Sequence, residues 1–321
     1  MVFPPIRPPS RAAQALTCIS SVCAAAASVA TLIWSGSFPA PPGGSLFNSA
    51  LAEARGWSLV TLAIALPLLA FSLLAARNGS RSGHLAWLGT LAYLVYTYLE
   101  FAVGPPFTAL YLLYVVAFAC AIPALLMGVA AVDATALERS LGATLPRRSI
   151  AAFGLALGVL LPLAWLKGIV AQTVAGDFGW PTGVDAIGHV VHALDLGLQA
   201  PLGIATGVLL LRRKPGGAVL APILLVNSIC MGLALTAMVV SSALASGRSP
   251  LEGAPFALLP VIATVLAAGF FRALELPHSW RRSSRRGLRS PGGTTLAKHS
   301  ERSPPCPPAS SRPAPSRRSV M

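Results

Sequence analysis

The chain has 321 residues, of which 55% are hydrophobic and 11% charged, with a formal net charge of +14 and a mean hydropathy of +0.69. About a quarter of the residues of a soluble domain are charged, so this composition excludes an ordinary water-soluble globular protein. The positive charge does not point to nucleic acid either. Much of it sits in a tail that carries 11 Lys/Arg against 2 acids from Arg272 onward, with only Trp280 near its start as a stacking aromatic.

Taken in order, residues 1–14 (MVFPPIRPPSRAAQ) form a short, basic, proline-rich N-terminus. The apolar run over 15–34 exceeds the roughly 7–15-residue core of a signal peptide and reads as a retained first span. A second span is predicted over 57–76, followed by an inner loop with Arg77 and Arg81. The third, 85–103, holds Trp87, Tyr93, Tyr96 and Tyr98, with Glu100 near its outer end. Gly104-Pro105-Pro106 is a stiff turn, so the third span forms a hairpin with the fourth, 107–132. Arg139, Arg147 and Arg148 mark the next inner loop, and the fifth span, 149–170, contains Gly154 and Gly158 in a GxxxG spacing, then Trp165 and Lys167.

The most informative stretch is 176–214, GDFGWPTGVDAIGHVVHALDLGLQAPLGIATGVLLLRRK. A polar front carries Asp177, Asp185, His189, His192 and Asp195; an apolar sixth span follows, and Arg212, Arg213 and Lys214 close it. The seventh and eighth spans are predicted over 217–242 and 254–273. Residues 276–321 are Arg/Ser/Pro-rich with almost nothing to bury and read as a disordered tail.

Apolar runs of about 20 residues, not alternating, predict an all-α integral membrane protein with a bundle of about eight transmembrane helices over 15–275, and not a β-barrel. Basic residues collect in the N-terminus and in alternate loops, while the other loops hold only Arg55 and Arg248, with Lys167 near a span end. By the positive-inside rule both termini are cytoplasmic. Arg281, Arg282, Arg285, Arg286 and Arg289 suit contact with anionic inner-leaflet lipid, at about 1 kcal/mol per basic residue; the simpler reading is that they only hold the C-terminus inside. Cys18, Cys23, Cys120 and Cys230 lie in apolar spans and read as small buried hydrophobes.

On a helix, Asp185, His189 and His192 fall within about 60° of one face. Their outermost members stand about 10.5 Å apart along the axis, so at most two can reach one metal ion. A third ligand would come from Asp177, Glu100 or Glu53. The competing reading makes them the polar end of a helix, with Asp185 and His189 paired at i, i+4. Glu100 and Lys167 either pair or snorkel separately. No ionisable residue falls near the middle of a span, which argues against a proton-driven pump. Asn227 and Ser228 on the seventh span suit a neutral-solute path or helix contacts. Pro201 cannot donate to the Gly197 carbonyl, so the sixth helix is expected to bend, with Gly203 and Gly207 forming a second GxxxG below it.

The segments GHLAWLGTLAYLVYTYLEFAVG, FTALYLLYVVAFACAIPALL and VVHALDLGLQAPLGIATGVLLLRRKPGG resemble uncharacterised bacterial multi-pass membrane proteins. The resemblance implies the polytopic architecture and a bacterial cell-membrane location, and carries no activity or substrate. No GxSxG, HExxH or P-loop is present and no cofactor is indicated. Two function classes remain: small-solute or lipid transport, or envelope sensing, along a path past Asn227 and the Pro201 bend; or a membrane-embedded enzyme, metal-dependent or not, using the His189/His192/Asp face. Candidate site-lining residues are Asp177, Asp195, Pro201, Glu100, Lys167 and Asn227.

Overall fold

The computed structural model describes residues 6–37, 45–104, 107–142, 144–176 and 185–275. The predicted disordered tail and Asp177 lie outside the described residues. Eight helices are long and apolar enough to cross a membrane: Arg11–Ile33, Ala50–Arg77, Arg81–Val103, Tyr111–Ala130, Arg147–Ala175, His189–Leu211, Pro215–Ala245 and Phe256–Leu274. They are the first to eighth spans, and this is a multi-pass membrane protein. No strand occurs among the described residues, where Ile6 and Val132 form an isolated bridge. Apolar solvent cannot satisfy backbone groups, which is why helices carry the crossing segments.

Local chemistry sets several helix starts. Ser10, Ser80 and Asp133 accept hydrogen bonds from the N–H groups of Ala13, Gly83 and Ala136 at 3.1, 3.1 and 2.9 Å, satisfying donors that the first turn leaves open. The Asp133 cap begins a short helix, Ala134–Ser140, where the sequence suggested only a loop. An ion pair of 2.7 Å from Arg147 Nη2 to Glu138 Oε1 ties that helix to the start of the fifth span.

The third and seventh spans are the most buried and pack on each other. Polar side chains bond across the interfaces: Tyr98 donates to the Ala24 carbonyl at 3.0 Å, Thr61 and Tyr93 share a 2.8 Å hydrogen bond, and Trp57 Nε1 donates to Thr97 at 3.2 Å. Where the surroundings are as apolar as the side chains, such bonds and close packing supply what the hydrophobic effect does in water.

A structural repeat joins the two halves. In the second span a π-helical turn, Thr61–Ala65, precedes Pro67; in the sixth, a π-helical turn, Asp195–Gln199, precedes Pro201. Each turn is closed by an N–H bonding five residues back, Leu66 to Thr61 and Ala200 to Asp195. In both spans the helix continues without a break past the π turn and the proline, and a local π adjustment is one way for a helix to tolerate a residue that lacks a backbone donor.

The correspondence continues at the same offset through the following turn. Ser80 bonds Ala75 and Gly79 bonds Ala76 at 3.0 Å each; Lys214 bonds Leu209 at 2.9 Å and Arg213 bonds Leu210 at 3.1 Å. Both turns pass through a left-handed residue, Gly79 at φ 83° and Arg213 at φ 53°. Helix order repeats as well: first on second, second on third and third on fourth, then fifth on sixth, sixth on seventh and seventh on eighth. The repeat breaks in one place. The first and fourth spans pack along each other, whereas the fifth and eighth have no comparable contact.

The fifth and sixth spans meet through their two GxxxG motifs. A Cβ added at Gly154 would lie 2.8 Å from the Gly203 carbonyl oxygen, and one at Gly203 would lie 2.5 Å from that of Gly154. Gly158 and Gly207 are closed in the same way by the backbone at Ala200 and Ala151, each oxygen 2.9 Å away. The prediction is that Gly203→Leu destabilises the protein by about 1–3 kcal/mol through overpacking. Gly168→Leu, whose Cβ meets nothing within 4 Å, should change it by less than about 0.5 kcal/mol. Thermal unfolding in detergent measures both.

Candidate functional site

A cavity of about 560 Å³ opens where the fifth and eighth spans fail to close. Six of the eight spans line it, from Glu53, Glu100 and His189 at one end of the bundle to Leu157 and Leu224 deep within the fifth and seventh spans. The lining residues recur at helical spacing: Glu53 and Trp57 on the second span, Tyr96 and Glu100 on the third, and Leu157, Leu161 and Trp165 on the fifth. Ser228, Met231, Leu235 and Met238 form the wall from the seventh, and Phe256 and Leu259 that from the eighth. Steps of three and four residues place side chains on one helix face.

Asp195 is the centre of the polar part. Its side chain is 7% exposed. Tyr96 donates to Oδ1 at 2.7 Å and Trp165 Nε1 donates to Oδ2 at 2.9 Å, so one carboxylate joins the third, fifth and sixth spans. The Trp165 ring lies against His192, with centroids 4.3 Å apart, and His192 meets His189 edge-on at 6.0 Å. The sixth-span helix runs continuously from Asp185 through the π turn, so His189 and His192 belong to the crossing helix and do not stand before it.

The other acids enter differently. Glu53 accepts from Ser242 Oγ at 3.2 Å, tying the second span to the seventh. Glu100 lines the cavity one helical turn beyond Tyr96, and among the described residues no hydrogen-bond donor reaches its carboxylate. Among the described residues no Lys or Arg lines the cavity.

The remaining sequence candidates fall elsewhere. Lys167 is exposed on a shallow apolar groove of the fifth span lined by Leu163, Leu166 and Val170, and it forms no ion pair with Glu100. Pro201 is exposed, its role confined to the helix geometry described above. Asn227 is 2% exposed and donates to Gln199 Oε1 at 3.1 Å, its own Oδ1 lacking a partner among the described residues. Asp185 begins a helix, but its side chain lies outside the described residues. No group of three His, Cys, Asp or Glu gathers to hold a metal ion among the described residues; the Trp165 indole packs on His192, and the side chains of Asp177 and Asp185 lie outside those residues.

Comparison with protein-family models, curated proteins and solved structures finds no match. The site therefore stands on its geometry. Sequence reasoning passed over Trp57, Tyr96 and Trp165 as site residues, although the i, i+4 spacing of Glu53 with Trp57 and of Tyr96 with Glu100 was legible. It also passed over His84, a buried residue at the opposite end whose Nε2 bonds the Gly128 carbonyl at 2.9 Å.

Replacing Asp195 by Leu should strand the Tyr96 hydroxyl and the Trp165 N–H, costing about 1–3 kcal/mol for each unsatisfied donor. Tyr96→Phe should then cost less in the Asp195→Leu background than in the wild type, with a coupling of about 0.5–3 kcal/mol. A double-mutant cycle by thermal unfolding reads this out.

Proposed function

We propose that the protein is a small-solute transporter of the bacterial cell membrane, with both termini cytoplasmic and the cavity facing outward. The observation that carries this reading is the cavity itself. It lies between the two repeated halves, with the second and third spans on one side and the fifth to eighth on the other. Its volume is in the range of small-molecule sites, roughly 300–1,000 Å³, and its walls are largely apolar with a few convergent polar groups.

Internal repeats are a common way to build a transporter, with the solute bound at the repeat interface and the halves rocking about it. The two π turns support such a motion. They lie on the second and sixth spans, which face the cavity from opposite halves, and π turns within helices often mark functional positions. The Lys/Arg distribution supports an outward-facing cavity end. An enzyme using His189 and His192 receives less support, because no group of three metal-ligating side chains gathers there among the described residues.

Two measurements test this reading. With the native cysteines replaced, a cysteine at Leu235 should react with a membrane-impermeant thiol reagent applied from outside, and one at Leu145 should not. Reaction of the Leu235 site only from the cytoplasmic side would reverse the orientation. In a thermal-shift screen of small amphipathic solutes on the purified protein, stabilising compounds should lose their effect in Leu235→Trp, which fills the cavity. Shifts that persist in that variant would place binding elsewhere.

A further inference from the structure

We propose that the cavity takes an organic cation, an ammonium group carried on a compact apolar body. The inference rests on the solute-binding reading above and adds the ligand's chemistry. Three carboxylates, Glu53, Glu100 and Asp195, line one cavity, and among the described residues no Lys or Arg joins them in its lining. They differ in how they are satisfied. Asp195 has a donor on each oxygen, from Tyr96 and Trp165, and Glu53 accepts from Ser242.

Glu100 is the one that no donor reaches among the described residues, and it sits in the cavity wall beside Tyr96. An acid at this depth among apolar helices is costly unless something of opposite charge meets it. An ammonium headgroup meets it directly.

The aromatic wall is an independent pointer to the same chemistry. Trp57, Tyr96 and Trp165 all line the cavity, and the faces of such rings attract cations, Trp most strongly, with the gain larger where water is excluded. The Trp57 ring is held in place in the wall, stacked on Tyr93 at 6.5 Å and meeting Phe101 edge-on at 6.4 Å. Beyond the polar end the walls turn apolar with Leu157, Leu161, Met231 and Leu235, where methyl or methylene groups of the ligand are buried. An anion would meet three acids and, among the described lining residues, no Lys or Arg, with His189 and His192 the basic side chains there. A neutral solute would leave the Glu100 carboxylate as it is.

The test uses the full-length protein in lipid nanodiscs and isothermal titration calorimetry with choline, tetraethylammonium and benzyltrimethylammonium. The comparison probe is 3,3-dimethylbutanol, which has the shape of choline without its charge. At least one ammonium probe should bind, and 3,3-dimethylbutanol should bind about tenfold or more weakly than choline. Glu100→Gln should weaken ammonium binding by about tenfold while leaving the thermal midpoint in place, and Glu100→Asp should restore most of it.

Equal binding of choline and 3,3-dimethylbutanol would overturn the cation inference and leave the cavity standing as a solute site. Ammonium binding unchanged in a folded Glu100→Gln would overturn it too, by placing the cation elsewhere. Absence of binding by all three ammonium probes would overturn it as well; the solute-binding reading is then decided separately by the Leu235→Trp screen.

Discussion

A carboxylate placed among membrane helices is costly unless donors or an opposite charge meet it, and Asp195 organises its end of the bundle by drawing donors. Its two oxygens draw the Tyr96 hydroxyl and the Trp165 N–H from two other spans. The fifth span is thereby held at the cavity end by Trp165 and lower down by the close approach of Gly154 and Gly158 to the sixth. Between those two attachments the fifth-span face bearing Leu157 and Leu161 stays open to the cavity. A polar clamp above and a glycine seam below thus hold a helix against the bundle without closing the space beside it.

The repeat gives that space its position. Both halves use a π turn and a following proline, and both return through a turn with one left-handed residue. In the first half the first and fourth spans close on each other, while in the second the equivalent pair does not. The cavity occupies this asymmetry. What distinguishes the halves chemically is consistent with it: the π turn of the second span opens on Thr61, bonded to Tyr93, and that of the sixth opens on Asp195, bonded to Tyr96 and Trp165. A hydroxyl suffices in a closed interface, and a carboxylate appears where a cavity adjoins it.

The spans were legible in the sequence because length and hydropathy are local quantities. The structure extends several of them, most clearly the fifth to Arg147–Ala175 and the second to Ala50–Arg77, since helix continues past the apolar stretch wherever caps and packing allow. Ahead of Pro201, where the sequence suggests a bend, the helix carries a π turn, a local adjustment by which a membrane helix re-satisfies backbone groups around a proline. Each GxxxG was visible alone, but a spacing within one helix carries no information about which helix faces it. The site was half legible. His189, His192, Asp195 and Glu100 stood out as ionisable residues near apolar spans, but a helix face carries no information about what packs on it, and tertiary packing brought the Trp165 indole to His192 and the Tyr96 phenol to Asp195.

By itself, then, the sequence determined that the chain crosses a membrane eight times as helices, since hydrocarbon tolerates little else over runs of that length, and it marked the Glu53, Glu100 and His189 ends as lying on one face. Only the tertiary structure decided that these ends surround a cavity, that Asp195 is clamped while Glu100 is left facing the space, and that Lys167 points away from both. Those outcomes depend on which helices are neighbours and how each is rotated. Both are settled by glycine seams, buried hydrogen bonds and an unclosed pair of spans, and the parts of each contact lie far apart along the chain.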